Sequence, residues 1–124
     1  MVNCIVVDDN QGIVDVFCDL LNLIGLDVLG TGTDGMDAVK LYEKYCPDLI
    51  FIDLLMPKYD GFYAIRNIKE IDPNAKIVVT TGDITMSESD LLDSYKVTTV
   101  IYKPFDVYKI KQVVADIFLG DTVK

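Results

Sequence analysis

Apolar positions along this chain follow two periods in turn. Short apolar runs predict strands at residues 3–7, 27–30, 49–52, 76–80 and 97–102. Between them, apolar residues recur at helical spacing. Ile13, Phe17, Leu20, Leu21 and Ile24 form one stripe, with Gly25 as its stop. Asp34 caps a second helix through Tyr45, with Ala38, Leu41, Tyr42 and Tyr45 on one side, and Pro47 prevents it from running on. A third helix spans about 59–71, with Phe62, Ile65, Ile68 and Ile71 inward, before the turn Asp72-Pro73-Asn74. Ser87 caps a short fourth helix to about Tyr95. Asp106 caps the last, whose apolar face is Ile110, Val113, Val114, Ile117 and Phe118.

Five strands therefore alternate with five helices. Strands one, three and four are near-continuous apolar runs, as a parallel sheet covered on both faces requires. The second is weaker, because Gly30 and Gly32 interrupt it. There is no internal repeat, low-complexity segment or linker. The expected organisation is one α/β domain over residues 1–124, with no second domain after the last helix.

Composition narrows the function. The 124 residues are 51% hydrophobic and 25% charged, enough for one domain with a real core. No apolar run is long enough to cross a bilayer, and no basic-then-apolar leader opens the chain, so the expected compartment is the cytoplasm, with no membrane insertion. Net charge of −9 argues against direct nucleic-acid binding, which needs Lys and Arg against phosphate. The simplest role of the acidity is solubility. The absence of histidine excludes His-based acid–base chemistry, His metal ligands and a phospho-His carrier role. Cys4, Cys18 and Cys46 are odd in number and lack zinc spacing, which fits buried reduced thiols.

The candidate chemistry sits at the strand ends. In an open parallel sheet, functional groups gather outside the carboxyl ends of the strands, beside the switch in strand order. Asp8 and Asp9 follow strand one, Asp53 follows strand three, Thr81 follows strand four and Lys103 follows strand five. For each residue alone a simpler role exists. Asp53 can cap a loop, Asp8 or Asp9 can cap the first helix, Thr81 can be a turn hydroxyl, and Lys103 can be a surface lysine. Their shared placement favours a joint role. Clustered carboxylates resist ionisation unless a cation relieves them, and Mg²⁺ takes oxygen ligands while keeping waters for a phosphoryl oxygen. Carboxylate, cation, ammonium and hydroxyl together stabilise a phosphoryl group, and a carboxylate can accept one covalently. Asp53, the central member, is the best acceptor, and Gly82 leaves space beside it. Tyr59, Tyr63, Tyr95, Tyr102 and Tyr108 read as packing or surface groups, and Asp60 and Asp83 as rim charges.

Val-Asp8-Asp9, Asp53-Leu-Leu-Met-Pro57 with Gly61, Thr81-Gly82 and Lys103-Pro104-Phe105 together resemble the receiver domain of two-component response regulators, from Asn3 to about Phe118. The resemblance implies a flavodoxin-like (βα)5 fold, a doubly wound parallel five-stranded sheet of order 2-1-3-4-5. It implies that Asp53 accepts the phosphoryl group from a sensor histidine kinase or phosphotransfer protein. Mg²⁺ would be held by Asp9, Asp53 and the Leu55 carbonyl, with Asp8 beside it or reaching through water. Thr81 and Lys103 would contact the phosphoryl group, and the Lys103–Pro104 bond would be cis. The expected product is a stand-alone phosphoacceptor rather than a turnover enzyme. It would act on an unknown downstream protein through its fourth helix, fifth strand and fifth helix.

Two positions depart from the family. Val100 stands where an aromatic often accompanies Thr81 in switching, and Lys96 stands where Gly often ends the fourth helix, which implies a modest left-handed strain. Asp83 and Leu55 flank the expected site and are candidates for tuning phosphoryl lifetime. Three other functions compete. A constitutive interaction module with the same fold draws on Val100 alone. A phosphate sink uses the same site without a downstream partner. A phosphohydrolase with an Asp nucleophile commonly has a second acid two residues on, where this chain has Leu55.

Overall fold

The computed structural model describes residues 2–82, 87–104 and 106–118. Five strands, β1 (Asn3–Val7), β2 (Asp27–Gly32), β3 (Leu49–Ile52), β4 (Ile77–Thr81) and β5 (Thr99–Tyr102), alternate with five helices. These are α1 (Gln11–Leu23), α2 (Gly35–Tyr45), α3 (Gly61–Ile71), α4 (Glu88–Ser94) and α5 (Val107–Phe118). All strand pairs are parallel, in the order β2-β1-β3-β4-β5. This is the flavodoxin-like arrangement the resemblance implied.

Strand alternation divides the core into two layers. Ile5, Val7, Ile50, Ile52, Ile77, Val79 and Val100 face α2, α3 and α4. Cys4, Val6, Leu49, Phe51, Val78 and Ile101 face α1 and α5. The strand residues of β1, β3 and β4 are buried almost throughout, which explains their unbroken apolar runs. Phe51, on the central strand, meets Phe17 of α1 with ring centroids 4.9 Å apart.

Helix ends follow the expected caps in most places. Asp34 accepts from the Asp37 amide, Ser87 from Asp90 and Asp106 from Lys109. Cys46 ends α2 in the left-handed region at φ 43°, and Lys96 after α4 stands at φ 60°, the strained geometry expected for a non-glycine there. The Lys103–Pro104 peptide is cis.

The differences from the pattern are local. β2 continues through Gly32, past both glycines, because parallel pairing with β1 carries it on after a register shift at Cys4/Ile5. β5 begins at Thr99 rather than at 97. The buried stripe of α1 is Val14, Phe17 and Leu21, whereas Ile13, Leu20 and Ile24 are only half-buried. Ile71, expected inward, is exposed, because α3 ends there and Asp72 turns away. Tyr45 is exposed at the end of α2. Cys4 is buried and Cys18 half-buried, but Cys46 is exposed, since it is the C-cap of α2 rather than part of its apolar face. Tyr42 is buried, and its hydroxyl donates to Asp72 at 3.0 Å, tying α2 to the end of α3. No helix among the described residues is long and apolar enough to cross a membrane.

Candidate functional site

The parallel register brings the three carboxylates together at one sheet edge. Val7 of β1 pairs with Ile52 of β3, so the residues that follow, Asp8 and Asp53, leave the sheet side by side. The backbone holds them there. The Asp53 amide donates to the Val7 carbonyl at 3.0 Å, and the Asp8 amide donates to Gly32 at 3.1 Å. One carboxylate oxygen from each of Asp8, Asp9 and Asp53 falls within 4.8 Å of the others. Asp8 and Asp53 are buried, and Asp9 is exposed.

Lys103 reaches into this group from the end of β5. Its Nζ lies 2.6 Å from Asp8 Oδ2 and 3.6 Å from Asp53 Oδ2. The other oxygen of Asp8 accepts the Asn10 amide at 2.9 Å, and Asp53 Oδ1 accepts the Leu54 amide at 2.9 Å. Thr81 is buried at the last position of β4, its carbonyl accepts the Lys103 amide at 2.8 Å, and Tyr102 is its register partner. The Leu55 side chain is exposed beside Asp53. Asp83 and Phe105 lie outside the described residues.

One ammonium does not neutralise three carboxylates. Burial raises the Asp53 pKa from 3.8 to about 6, Asp8 and Asp9 add to the rise, and Lys103 and the Leu54 amide oppose it. Burial and the neighbouring carboxylates thus disfavour the charged form of Asp53, and a hard dication at the three oxygens would reverse that. The donor set is all oxygen and part-open, with Asp9 facing solvent, which fits Mg²⁺ retaining water ligands. Asp8, Asp9 and Asp53 are the side chains that would hold it.

Three features of the site have no clear signal in the sequence. Asn10, rather than Asp8 or Asp9, caps α1, accepting the Ile13 amide at 3.2 Å, which leaves both carboxylates available. Asp60 is not a rim charge. It is the N-cap of α3 and accepts the Tyr63 amide at 3.0 Å. An Asp just before an apolar-periodic run is the usual signal for such a cap, but the apolar stripe extends back to Tyr59 and masks it. Asp60→Ala should cost about 1 kcal/mol, read as a lowered thermal midpoint. The third is Gly35, whose amide donates to the Tyr59 carbonyl at 2.6 Å, a tertiary contact with no sequence signature.

Val100 is buried against the α2–α4 layer. Tyr102 lies on the same side of β5 and is exposed.

Comparisons with known proteins agree with this geometry. Residues 4–115 match the response regulator receiver domain family. The chain is 34% identical over 117 residues to the chemotaxis protein CheY of Treponema pallidum, covering 91% of this chain and 80% of that protein. It is 39% identical over 78 residues to CheY of Thermotoga maritima, a match spanning 63% of this chain and 65% of that protein. Among solved structures it resembles a chain of the CheX–CheY–BeF3–Mg²⁺ complex from Borrelia burgdorferi, with a TM-score of 0.89, 30% identity and coverage of 95% and 90% of the two chains.

Proposed function

Because the chain belongs to the response regulator receiver domain family, we propose that it accepts a phosphoryl group on Asp53 from a phospho-His of a sensor kinase or phosphotransfer protein. The observation that carries this reading is the convergence of Asp8, Asp9, Asp53 and Lys103 at one sheet edge, with oxygens and ammonium at contact distances.

Mg²⁺ bound by the three carboxylates, with the Leu55 carbonyl as a further ligand, would supply positive charge to the phosphoryl oxygens. The chain's own residues do the rest. Asp53 Oδ2 is the acceptor oxygen, because Oδ1 is held by the Leu54 amide. It forms the new O–P bond as the donor's N–P bond breaks, and the electron pair returns to the imidazole nitrogen. Lys103 is held by Asp8 in the unphosphorylated protein and is already near Asp53. It moves from the Asp8 carboxylate to the phosphoryl oxygens as they arrive. The Thr81 hydroxyl, at the end of the neighbouring strand, hydrogen-bonds the same group. Water then cleaves the acyl phosphate, releasing inorganic phosphate and restoring the Asp53 carboxylate; each cycle loads one phosphoryl group per chain, so the protein acts as a stoichiometric acceptor for its donor.

The resulting change in charge shifts a two-state equilibrium read by another protein, through the face built from α4, β5 and α5. On this reading residues 1–124 form one receiver unit that acts through a partner. A phosphate sink would share the whole site and differ only in lacking that partner.

Incubation with a small phosphodonor and Mg²⁺, followed by intact mass measurement, tests the reading. One phosphoryl adduct is expected, dependent on Mg²⁺ and absent in Asp53→Asn. No adduct with wild type would favour an inert module of the same fold. A pull-down that retains a protein only in the phosphorylated state would separate signalling from the sink.

A further inference from the structure

The residues on either side of the β2–α2 turn, Gly32 and Gly35, each hold one half of the carboxylate site through backbone atoms. On one side, the Gly32 carbonyl accepts the Asp8 amide at 3.1 Å. On the other, the Gly35 amide donates to the Tyr59 carbonyl at 2.6 Å, inside the loop that joins Asp53 to α3. The contact at Gly35 is too close for any side chain. A Cβ there would overlap the Asp60 carbonyl oxygen and stand 2.8 Å from the Tyr59 carbonyl oxygen. Both obstacles are backbone, so no rotamer change relieves them.

The contact continues to the acceptor. Asp60, against which Gly35 packs, is the N-cap of α3. The next residue, Gly61, donates its amide to the Leu54 carbonyl at 2.8 Å and leaves no room for a Cβ beside the Asp53 carbonyl. Displacing residues 59 and 60 therefore displaces the support on which Asp53 and Leu54 rest. Gly35 itself is buried, and its place at the start of α2 is set by the Asp34 cap.

We propose that Gly35 is a positioning residue for the metal site: α2 holds the loop after Asp53 through this one close backbone contact, and so sets the affinity for Mg²⁺. The inference rests on the Mg²⁺ reading of Asp8, Asp9 and Asp53. Groups that orient metal ligands without touching the metal commonly change affinity ten- to a hundredfold when altered. By linkage, Mg²⁺ binding should in turn protect the Gly35 amide.

The test is the Mg²⁺ dissociation constant of wild type, Gly35→Ala and Asp53→Asn, each with its melting temperature with and without Mg²⁺. Gly35→Ala is expected to weaken Mg²⁺ about tenfold or more and to shrink the Mg²⁺-induced rise in melting temperature. A glycine needed only for folding would lower both melting temperatures alike and leave the dissociation constant unchanged, and that result overturns the proposal. If wild type itself shows no Mg²⁺ binding, or Asp53→Asn binds as well as wild type, it is the Mg²⁺ reading that fails, and this inference falls with it. Amide hydrogen exchange of wild type provides the second measurement should Gly35→Ala fail to fold. Exchange at Gly35 that slows on adding Mg²⁺ by more than at core amides of β1 and β3 supports the coupling, and slowing no greater than theirs contradicts it.

Discussion

Asp53→Asn, which removes the proposed acceptor, is expected to make the metal-free protein more stable at neutral pH. Asp53 is buried beside Asp8 and within reach of Asp9, and its pKa stands at about 6 against 3.8 for an ordinary aspartate. Between those values the folded state binds more protons than the unfolded state, so stability falls as pH rises from about 4 through 6. Above pH 6 the full penalty applies, about 3 kcal/mol for a shift of this size. Asparagine keeps an oxygen for the Leu54 amide and carries no charge. The variant should therefore melt several degrees higher at pH 7, on the order of 5 °C or more, and its stability should vary less between pH 4 and 6. Mg²⁺ should stabilise wild type and do little for the variant. Thermal melts across that pH range, with and without Mg²⁺, check all three. A variant that melts lower than wild type at pH 7 would mean that the carboxylate cluster is already compensated by Lys103.

Gly61→Ala should have the opposite sign and a comparable size. A Cβ at Gly61 would overlap the Asp53 carbonyl oxygen and stand 2.7 Å from the Leu54 Cα. These atoms are backbone, pinned by the hydrogen bond from the Gly61 amide to the Leu54 carbonyl and by the one from the Asp53 amide to Val7. No flexible side chain can yield, so α3 or the loop must move. Insertion of a methyl into packed surroundings costs about 1–3 kcal/mol, with rigid surroundings at the upper end. We expect a loss of about 3 kcal/mol in urea unfolding at unchanged slope, together with weakened Mg²⁺ binding. A variant with wild-type stability would show that the loop after Asp53 tolerates displacement, and would also weaken the argument for Gly35.

The parts of the site that were legible in the sequence share one cause. An apolar run followed at once by Asp, or by Thr-Gly or Lys-Pro, marks a strand end that carries a polar group, and parallel α/β geometry places all such ends on one edge. Asp8, Asp9, Asp53, Thr81 and Lys103 could be aligned in this way without coordinates. The motif resemblance then added the strand order and the cis Lys103–Pro104 bond. What stayed hidden depends on contacts between segments distant in sequence. Nothing in the chain near Gly35 announces that Tyr59 and Asp60 will lie against it, nor that Gly32 will hold the Asp8 amide. On α1, Phe17 and Leu21 lie on the buried face as expected, but Val14 rather than the adjacent Ile13 completes it, a choice between neighbours that only docking on the sheet makes. The start of α3 is hidden in a similar way. Tyr59 extends the apolar stripe backward, and the observed start at Gly61 follows from Gly61 packing on Asp53.

Val100 fills its place in the α2–α4 layer as an ordinary core residue, while Tyr102 lies beside Thr81 in register and reaches solvent. The phosphorylation chemistry proposed for Asp53 does not depend on either.

The central claim is that the buried carboxylate after β3 is the covalent acceptor. Phosphorylating the protein with a small donor and Mg²⁺, reducing the acyl phosphate with borohydride, and sequencing the peptides by mass spectrometry tests it directly. The account predicts conversion of aspartate to homoserine at residue 53 alone, lost when Mg²⁺ is chelated. Conversion at Asp8 or Asp9, or none at all, would contradict it.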